Sequence, residues 1–196
     1  MKNPSHFRYI ASIDHMSSNF TRQILNEQGV YIDLIQPDHM NQLYELFELN
    51  RNYLRLNVPR VDSIQTPEDV FKRFGAAREN SLALGIWLNE MQMIGRCRLK
   101  RHPQLNSADI GYWLSESYQG QGIMTAAVAA CVQFAFQEWN VDRFEIECGE
   151  NNLKSRAIPE RLGFVNQGIS LTQPLVELNG QMVQSITYLL CNPVQK

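Results

Sequence analysis

IGYWLSESYQGQGIMTAA, residues Ile110 to Ala127, is the stretch that decides how this chain is read. A short apolar strand runs into Gln119-Gly120-Gln121-Gly122, and a helix-forming run starts at once with Ile123, Met124 and Thr125. The first N–H groups of a helix have no partner inside it, so such a junction offers bare donors to an anion. Glycine also lets the main chain approach a phosphate without a Cβ in the way. The segment predicts a diphosphate seat built from the backbone of Gln119, Gly120, Gln121, Gly122, Ile123, Met124 and Thr125.

Three phosphate-binding loops compete for this pattern. A Walker A loop requires Lys and then Ser or Thr after its last glycine, where this chain has Ile123 and Met124. A dinucleotide fingerprint requires a third glycine where Thr125 stands. The third is the acyl-CoA loop of the GNAT superfamily of N-acetyltransferases, which the segment resembles: Gln or Arg, two residues, Gly, one residue, then Gly or Ala. Gln119 and Gly122 match it, and Met124 does not. A strand-to-helix turn without any ligand is the competing reading of the loop alone.

A second segment, CGENNLKSRAIPERLGF from Cys148 to Phe164, changes that balance. Taken with the glycine loop, it resembles the acetyl-CoA site of the GNAT superfamily of N-acetyltransferases, nearest to its Rim-type branch, which acts on ribosomal-protein N-termini. Asn152 and Ser155 stand where that branch has its Asn-x-x-Ser element, and Leu162, Gly163 and Phe164 stand at its Leu-Gly-Phe. The resemblance covers about Val30 to Leu190. It implies an α/β (α+β) fold with a mixed, largely antiparallel sheet of about seven strands flanked by helices.

Bulk properties agree with one enzyme-sized domain. The 196 residues suit a single unit, and a 44% apolar fraction suffices for a core. Net charge is −2, without the basic surplus of a nucleic-acid binder. No apolar run approaches the ~20 residues of a membrane span, and no signal peptide is visible. Cys97, Cys131, Cys148 and Cys191 lack C-x-x-C spacing and read as buried thiols of a reducing cytoplasm. His6, His15, His39 and His102 are dispersed, so no metal site is expected. Residues 1–20 show no clean period and are expected to form a flexible leader before a single domain at 21–196.

The element pattern runs through the whole domain. Val30 to Gln36 alternates as a first strand, and Pro37-Asp38 opens a helix carrying Met40, Leu43, Tyr44 and Phe47 on one face. Thr66-Pro67-Glu68-Asp69 starts a second helix, with a capping hydroxyl, proline in the first turn and acids against the positive end. Leu82–Leu88, Met93–Lys100 and Asp109–Leu114 read as strands, with a turn at Asn89-Glu90. Arg96, Arg98 and Lys100 share one strand face, read as a solvated ladder in preference to a phosphate contact. The helix after the glycine loop buries Met124, Val128, Cys131 and Ala135. Arg143–Cys148 is a strand with Phe144, Ile146 and Cys148 facing in. Asn179-Gly180 marks a hairpin between strands at about Val165–Leu178 and Met182–Leu190.

The resemblance also implies a chemistry. Acetyl-CoA (CoA after transfer) is the donor, used in direct transfer to a primary amine, with no metal and no acetyl-enzyme. In the GNAT fold two central strands splay and the pantetheine arm lies between them. That notch falls beside Trp113-Leu114 and Glu147-Cys148, with the Leu114 N–H a one-donor site for the thioester carbonyl. Ser155 either hydrogen-bonds the leaving thiolate or merely opens its helix. Asn152 either binds pantetheine amides or forms a turn. Asp109 is either a water-relayed base or a surface acid. The strand after Leu-Gly-Phe carries no acid until Glu177, so no base is expected there.

The acceptor side departs from the Rim-type pattern. Leu56-Asn57-Val58-Pro59-Arg60 replaces a Trp-Leu-Pro-Trp element, and Arg51, Arg55 and Arg60 make the region basic. That basicity either favours an acidic peptide or anionic small molecule, or is a solvated helix end. The expected acceptor is a protein or peptide N-terminal α-amine, in the cytoplasm, with no nucleic-acid or membrane partner and a monomer or homodimer state. The alternatives are a small-molecule amine acetyltransferase and a catalytically silent acyl-CoA-binding module.

Overall fold

The structure is a computed structural model that describes residues 19–75, 78–89 and 92–193. The strands are β1 (Gln23–Ile24), β2 (Val30–Leu34), β3 (Ser81–Leu88), β4 (Gln92–His102), β5 (Ser107–Leu114), β6 (Arg143–Gly149), β7 (Val165–Ile169), β8 (Leu175–Leu178) and β9 (Gln181–Cys191). The α-helices are α1 (Met40–Leu49), α2 (Arg51–Arg55), α3 (Pro67–Val70), α4 (Ile123–Glu138) and α5 (Leu153–Arg161). Strand order is β1-β2-β3-β4-β5-β6-β9-β7, with β8 beside β9. Every pairing is antiparallel except that of β5 with β6.

Helices cover both sheet faces. On one, α4 lays Ile123, Met124, Ala127, Val128, Cys131 and Ala135 against Ile86, Cys97, Leu99 and Ile110. On the other, Leu43, Phe47 and Leu54 of α1 and α2 meet Tyr31, Trp87, Met93 and Trp113. The period of two in the strands therefore serves two cores at once. The start of α3 has both halves of a capping box: Thr66 Oγ1 accepts from the Asp69 N–H at 3.1 Å, and Asp69 Oδ2 accepts from the Thr66 N–H at 3.2 Å.

Several sequence expectations shift. Nine strands are present among the described residues where about seven were expected. The two-residue β1 carries no periodic signal. The span from Val165 to Leu178 divides into β7 and β8, because Pro174 has no N–H to give a ladder and the Gln173 N–H is taken by Ser170 Oγ at 3.0 Å. Asn179 and Gly180 both have positive φ, 48° and 74°, as a two-residue hairpin of type I′ requires. Of the expected turn at Asn89-Glu90, Asn89 takes φ 53° and Glu90 lies outside the described residues. Cys97, Cys131 and Cys148 are buried, whereas Cys191 is exposed, so the reading of four buried thiols fails at Cys191. Of the expected leader, residues 1–18 lie outside the described residues; Phe20 is buried, its ring 5.0 Å from that of Phe134.

Phe144 ties the β6 end of the sheet to α4 and to the turn after α5. Its ring is fully buried and meets Phe136 of α4 edge-on at 6.4 Å and Phe164 of the Leu-Gly-Phe turn at 6.1 Å. Phe144→Ala is expected to cost about 3–5 kcal/mol of stability, read as a lower urea midpoint at unchanged slope.

Candidate active site

The parallel pair β5–β6 is short. Ser107, Ala108 and Asp109 pair with Arg143, Phe144 and Glu145, and there the pairing stops. Both strands continue: β5 stays paired to β4 as far as Leu114, and β6 stays paired to β9 as far as Gly149. Each therefore presents one unpaired edge to the other across a widening gap. The Ser115 N–H donates to the Ile94 carbonyl beside it, so alternation along β5 turns the Leu114 and Tyr112 N–H groups into the gap. An unpaired edge is a template for another extended, amide-bearing chain.

Tyr112 braces one wall of this gap. Its hydroxyl donates to the Ser155 carbonyl at 3.2 Å and accepts from Ser155 Oγ at 3.1 Å, linking β5 to α5. Burial pushes the Tyr112 phenol well above its ordinary range, so it stays protonated as a donor. Across the gap, burial pushes the Cys148 thiol up to about 11, which disfavours a nucleophilic thiolate. Asn152 caps α5, its Oδ1 accepting from the Ser155 N–H at 3.1 Å. Ser155 is therefore inside the first turn and not the cap, and it lines the cleft. Arg156 fixes the helix by donating to Tyr188 Oη at 3.1 Å and to the Glu150 carbonyl at 3.0 Å.

The gap opens onto the glycine loop. Gly120 and Gly122 take φ 76° and 78°, and Gly122 is the N-cap of α4 with no side chain capping it. A Cβ at either position would meet nothing within 4 Å, so the left-handed backbone, and not crowding by the protein, is what requires glycine. Among the described residues no protein group accepts from the N–H groups of Gly120 through Thr125. The side chains of Ile123 and Met124 turn into the core, and both residues line the cleft. Gln119 holds the loop to the strand, donating to the Leu114 carbonyl at 3.1 Å and accepting from Lys154 Nζ at 2.9 Å. Lys154 and Arg161 line this end and add positive charge that the sequence reading did not single out. Gap and loop form one cleft of about 1110 Å³. The residues present fit a long ligand with an amide-bearing arm and an anionic diphosphate.

Asp109 does not line this cleft. It sits at the closed end of the β5–β6 pair, hydrogen-bonded to His102 at 2.5 Å and 3.9 Å from Arg98. Glu147 does line it, at the open end of β6. One of its oxygens, Oε1, accepts from the hydroxyls of Ser170, Thr172 (2.9 Å) and Thr187 (3.4 Å). Oε2 has no partner among the described residues. Sequence reasoning passed over Glu147 because its three hydroxyl partners lie 23, 25 and 40 residues away. Only its place beside Cys148 at the notch marked it.

At the acceptor end the basic residues divide. Arg51 pairs with Glu48 and donates to the carbonyls of Val61 and Ile64, and Arg55 pairs with Asp62 at 2.6 Å. These two stitch the α2 loop together. Arg96, expected on a solvated ladder, is instead only 5% exposed and lines the cleft. Burial, then the charges of Arg98 and Arg73, lower its guanidinium to about 9, with Cys97 acting the other way; it remains charged at neutral pH. Among the described residues, no helix is long and apolar enough to cross a membrane, and no cluster of three or more His, Cys, Asp or Glu forms a metal site.

Comparison with known proteins agrees with this geometry. The family model described as acetyltransferase (GNAT) domain matches residues 30–165. A ribosomal-protein-serine acetyltransferase of Escherichia coli (strain K12) is 29% identical over 153 residues, covering 76% of this chain and 86% of that protein. The Bacillus subtilis (strain 168) protein YdaF is 31% identical over 148 residues, 72% of this chain and 80% of that one. Among solved structures, RimL, a ribosomal L7/L12 alpha-N-protein acetyltransferase in complex with coenzyme A, superposes with a TM-score of 0.79 at 23% identity, covering 87% of this chain and 98% of that one. The microcin C7 self-immunity acetyltransferase MccE, in complex with acetyl-CoA and AMP, gives 0.75 at 24%, covering 85% and 94%. With its glycine cradle, its split strands and a family match over most of its length, the chain belongs to the GNAT acetyltransferase family.

Proposed function

We propose that this protein transfers the acetyl group of acetyl-CoA directly to the N-terminal α-amine of a protein or peptide. The observation that carries the reading is the split of β5 from β6 after three paired residues, opening onto six N–H groups without protein partners. The names of the relatives support the acceptor: the Escherichia coli relative is a ribosomal-protein-serine acetyltransferase, and RimL acts on a protein α-amine.

Acetyl-CoA supplies the activated thioester. The main chain of Gly120 to Thr125 would hold its diphosphate, and each favourable contact with the positive helix end contributes about 0.3–2 kcal/mol. The edges of β5 and β6 would align the pantetheine amides, and the Leu114 N–H would face the carbonyl being attacked. Glu147 takes the proton from the acceptor amine on its free Oε2, while three hydroxyls hold Oε1 still. Ser155, whose hydroxyl here donates to Tyr112 Oη, would turn that proton to the departing sulfur while Tyr112 stays bonded to the Ser155 carbonyl. An α-amine, with pKa near 7.7–8.0, is on the order of 10% neutral at pH 7, whereas a lysine near 10.4 is far below 1%. A surface carboxylate suffices as base for the former.

Three outcomes test the reading. Gly122→Glu, which forces a side chain onto left-handed backbone and puts a negative charge in the cradle, is expected to abolish CoA binding in calorimetry. Ser155→Ala is expected to lower kcat about ten- to a hundredfold with CoA affinity unchanged, the effect of losing one hydrogen bond to a charged group. Glu147→Gln keeps the hydroxyl contacts and removes the base, and is expected to lower kcat about 10²–10⁴-fold. Thiol release with a panel of N-terminal peptides and of small amines supplies the activity readout. Turnover confined to the small amines would contradict the proposed acceptor.

A further inference from the structure

Arg96, at the acceptor end, has a placement that the fold does not explain. Its Nε and Nη2 are buried without a hydrogen-bond partner, and no ion pair joins it to any described carboxylate. The carboxylates that line the same cleft, Glu116 and Glu147, leave it unpaired. Its immediate surroundings add no negative charge. The guanidinium lies over the Phe74 ring at 5.2 Å, and Arg73 approaches the same ring at 5.5 Å. Arg73 cannot compensate it, since it is a cation as well, and its Nε is also buried without a partner. A cation with two of its three nitrogens sealed from water and unpaired is poorly placed for stability.

A second donor stands beside it. Trp113 on β5 is the register partner of Arg96 on β4, both residues line the cleft, and the Trp113 Nε1–H is also buried without a partner. Two unsatisfied donors on adjacent strands, one of them charged, belong to residues that line one end of one cleft. Their neighbour on β5 is Leu114, whose N–H borders the gap. Around them the cleft is closed by Tyr53, Leu54, Val58 and Phe74, which exclude water and strengthen any ion contact made there.

We propose that Arg96, with the Trp113 indole N–H, forms a carboxylate-binding subsite at the acceptor end of the cleft, so that the preferred acceptors are amines bearing an acidic group. The inference rests on the acetyl-transfer reading and narrows its acceptor class. A carboxylate is the natural complement: it accepts from a planar guanidinium and has further lone pairs for the indole. The acid belongs either to a peptide side chain next to the terminal amine or to a small amino acid.

The test titrates CoA-saturated protein by calorimetry with two matched pairs. One pair is Ser-Glu-Ala amide against Ser-Gln-Ala amide; the other is γ-aminobutyrate against butylamine. In the wild-type protein the acid is expected to bind at least tenfold tighter in one pair, which also tells the peptide source from the small molecule. In Arg96→Met the preference is expected to vanish while CoA affinity stays within twofold. Arg96→Lys, which keeps the charge, is expected to retain part of it. The melting temperature of Arg96→Met is expected to hold or rise, because an unpaired buried charge has been replaced by an apolar side chain. Equal binding within both wild-type pairs, no binding of any of the four amines, a preference that survives Arg96→Met, or a large drop in its melting temperature overturns the subsite. The CoA titration reports on acetyl transfer and the amine pairs on Arg96, so either can fail alone.

Discussion

The divergence of two neighbouring strands is the constraint on which this molecule is organised. After Asp109, β5 follows β4 and β6 follows β9, and no ladder bond joins them again. Sheet interiors rarely tolerate such a break, because backbone donors and acceptors left without partners are costly. Here the break is held open from behind. Tyr112 bonds across to Ser155, α5 is clamped to β9 through Arg156 and Tyr188, and Phe144 locks the closed end against α4 and the turn after α5. Among the described residues no strand pairs with the open edges.

The two sides of the opening differ in character. Toward α4 and α5 it meets free amides, the helix end and the cations Lys154 and Arg161, a surface suited to phosphate. Toward α1 and α2 it meets aromatic and apolar walls, with Glu147 at the mouth and Arg96 in the floor. This polarity lets one cleft hold a charged donor at one end and admit an amine at the other. Glu147 lies on the β6 edge of this opening.

What was legible in the sequence was local. The glycine loop, Asn152, Ser155 and the Leu-Gly-Phe turn are contiguous patterns, and their conformations follow from residue type at neighbouring positions. The hairpin at Asn179-Gly180 is likewise a two-residue event. What escaped was set by depth and by distant partners. A period of two places Arg96, Arg98 and Lys100 on one face but does not tell how much of the helical layer covers each. Phe74 and the loop at Val58 cover Arg96 and leave the other two more open. Asp109 sits on β5, yet on the near side of the split, where His102 engages it. Glu147 draws its anchors from the β7–β8 connection and from β9, which no local window contains.

The most direct measurement of the central claim is a backbone amide spectrum of the isotope-labelled protein recorded with and without CoA. The account predicts that the amides of Gly120, Gly122, Thr125 and Leu114 shift together as CoA is added, while that of Asp109 stays in place. A spectrum in which CoA leaves the Gly120 to Thr125 amides unmoved, or in which the shifts fall elsewhere on the sheet, would contradict it.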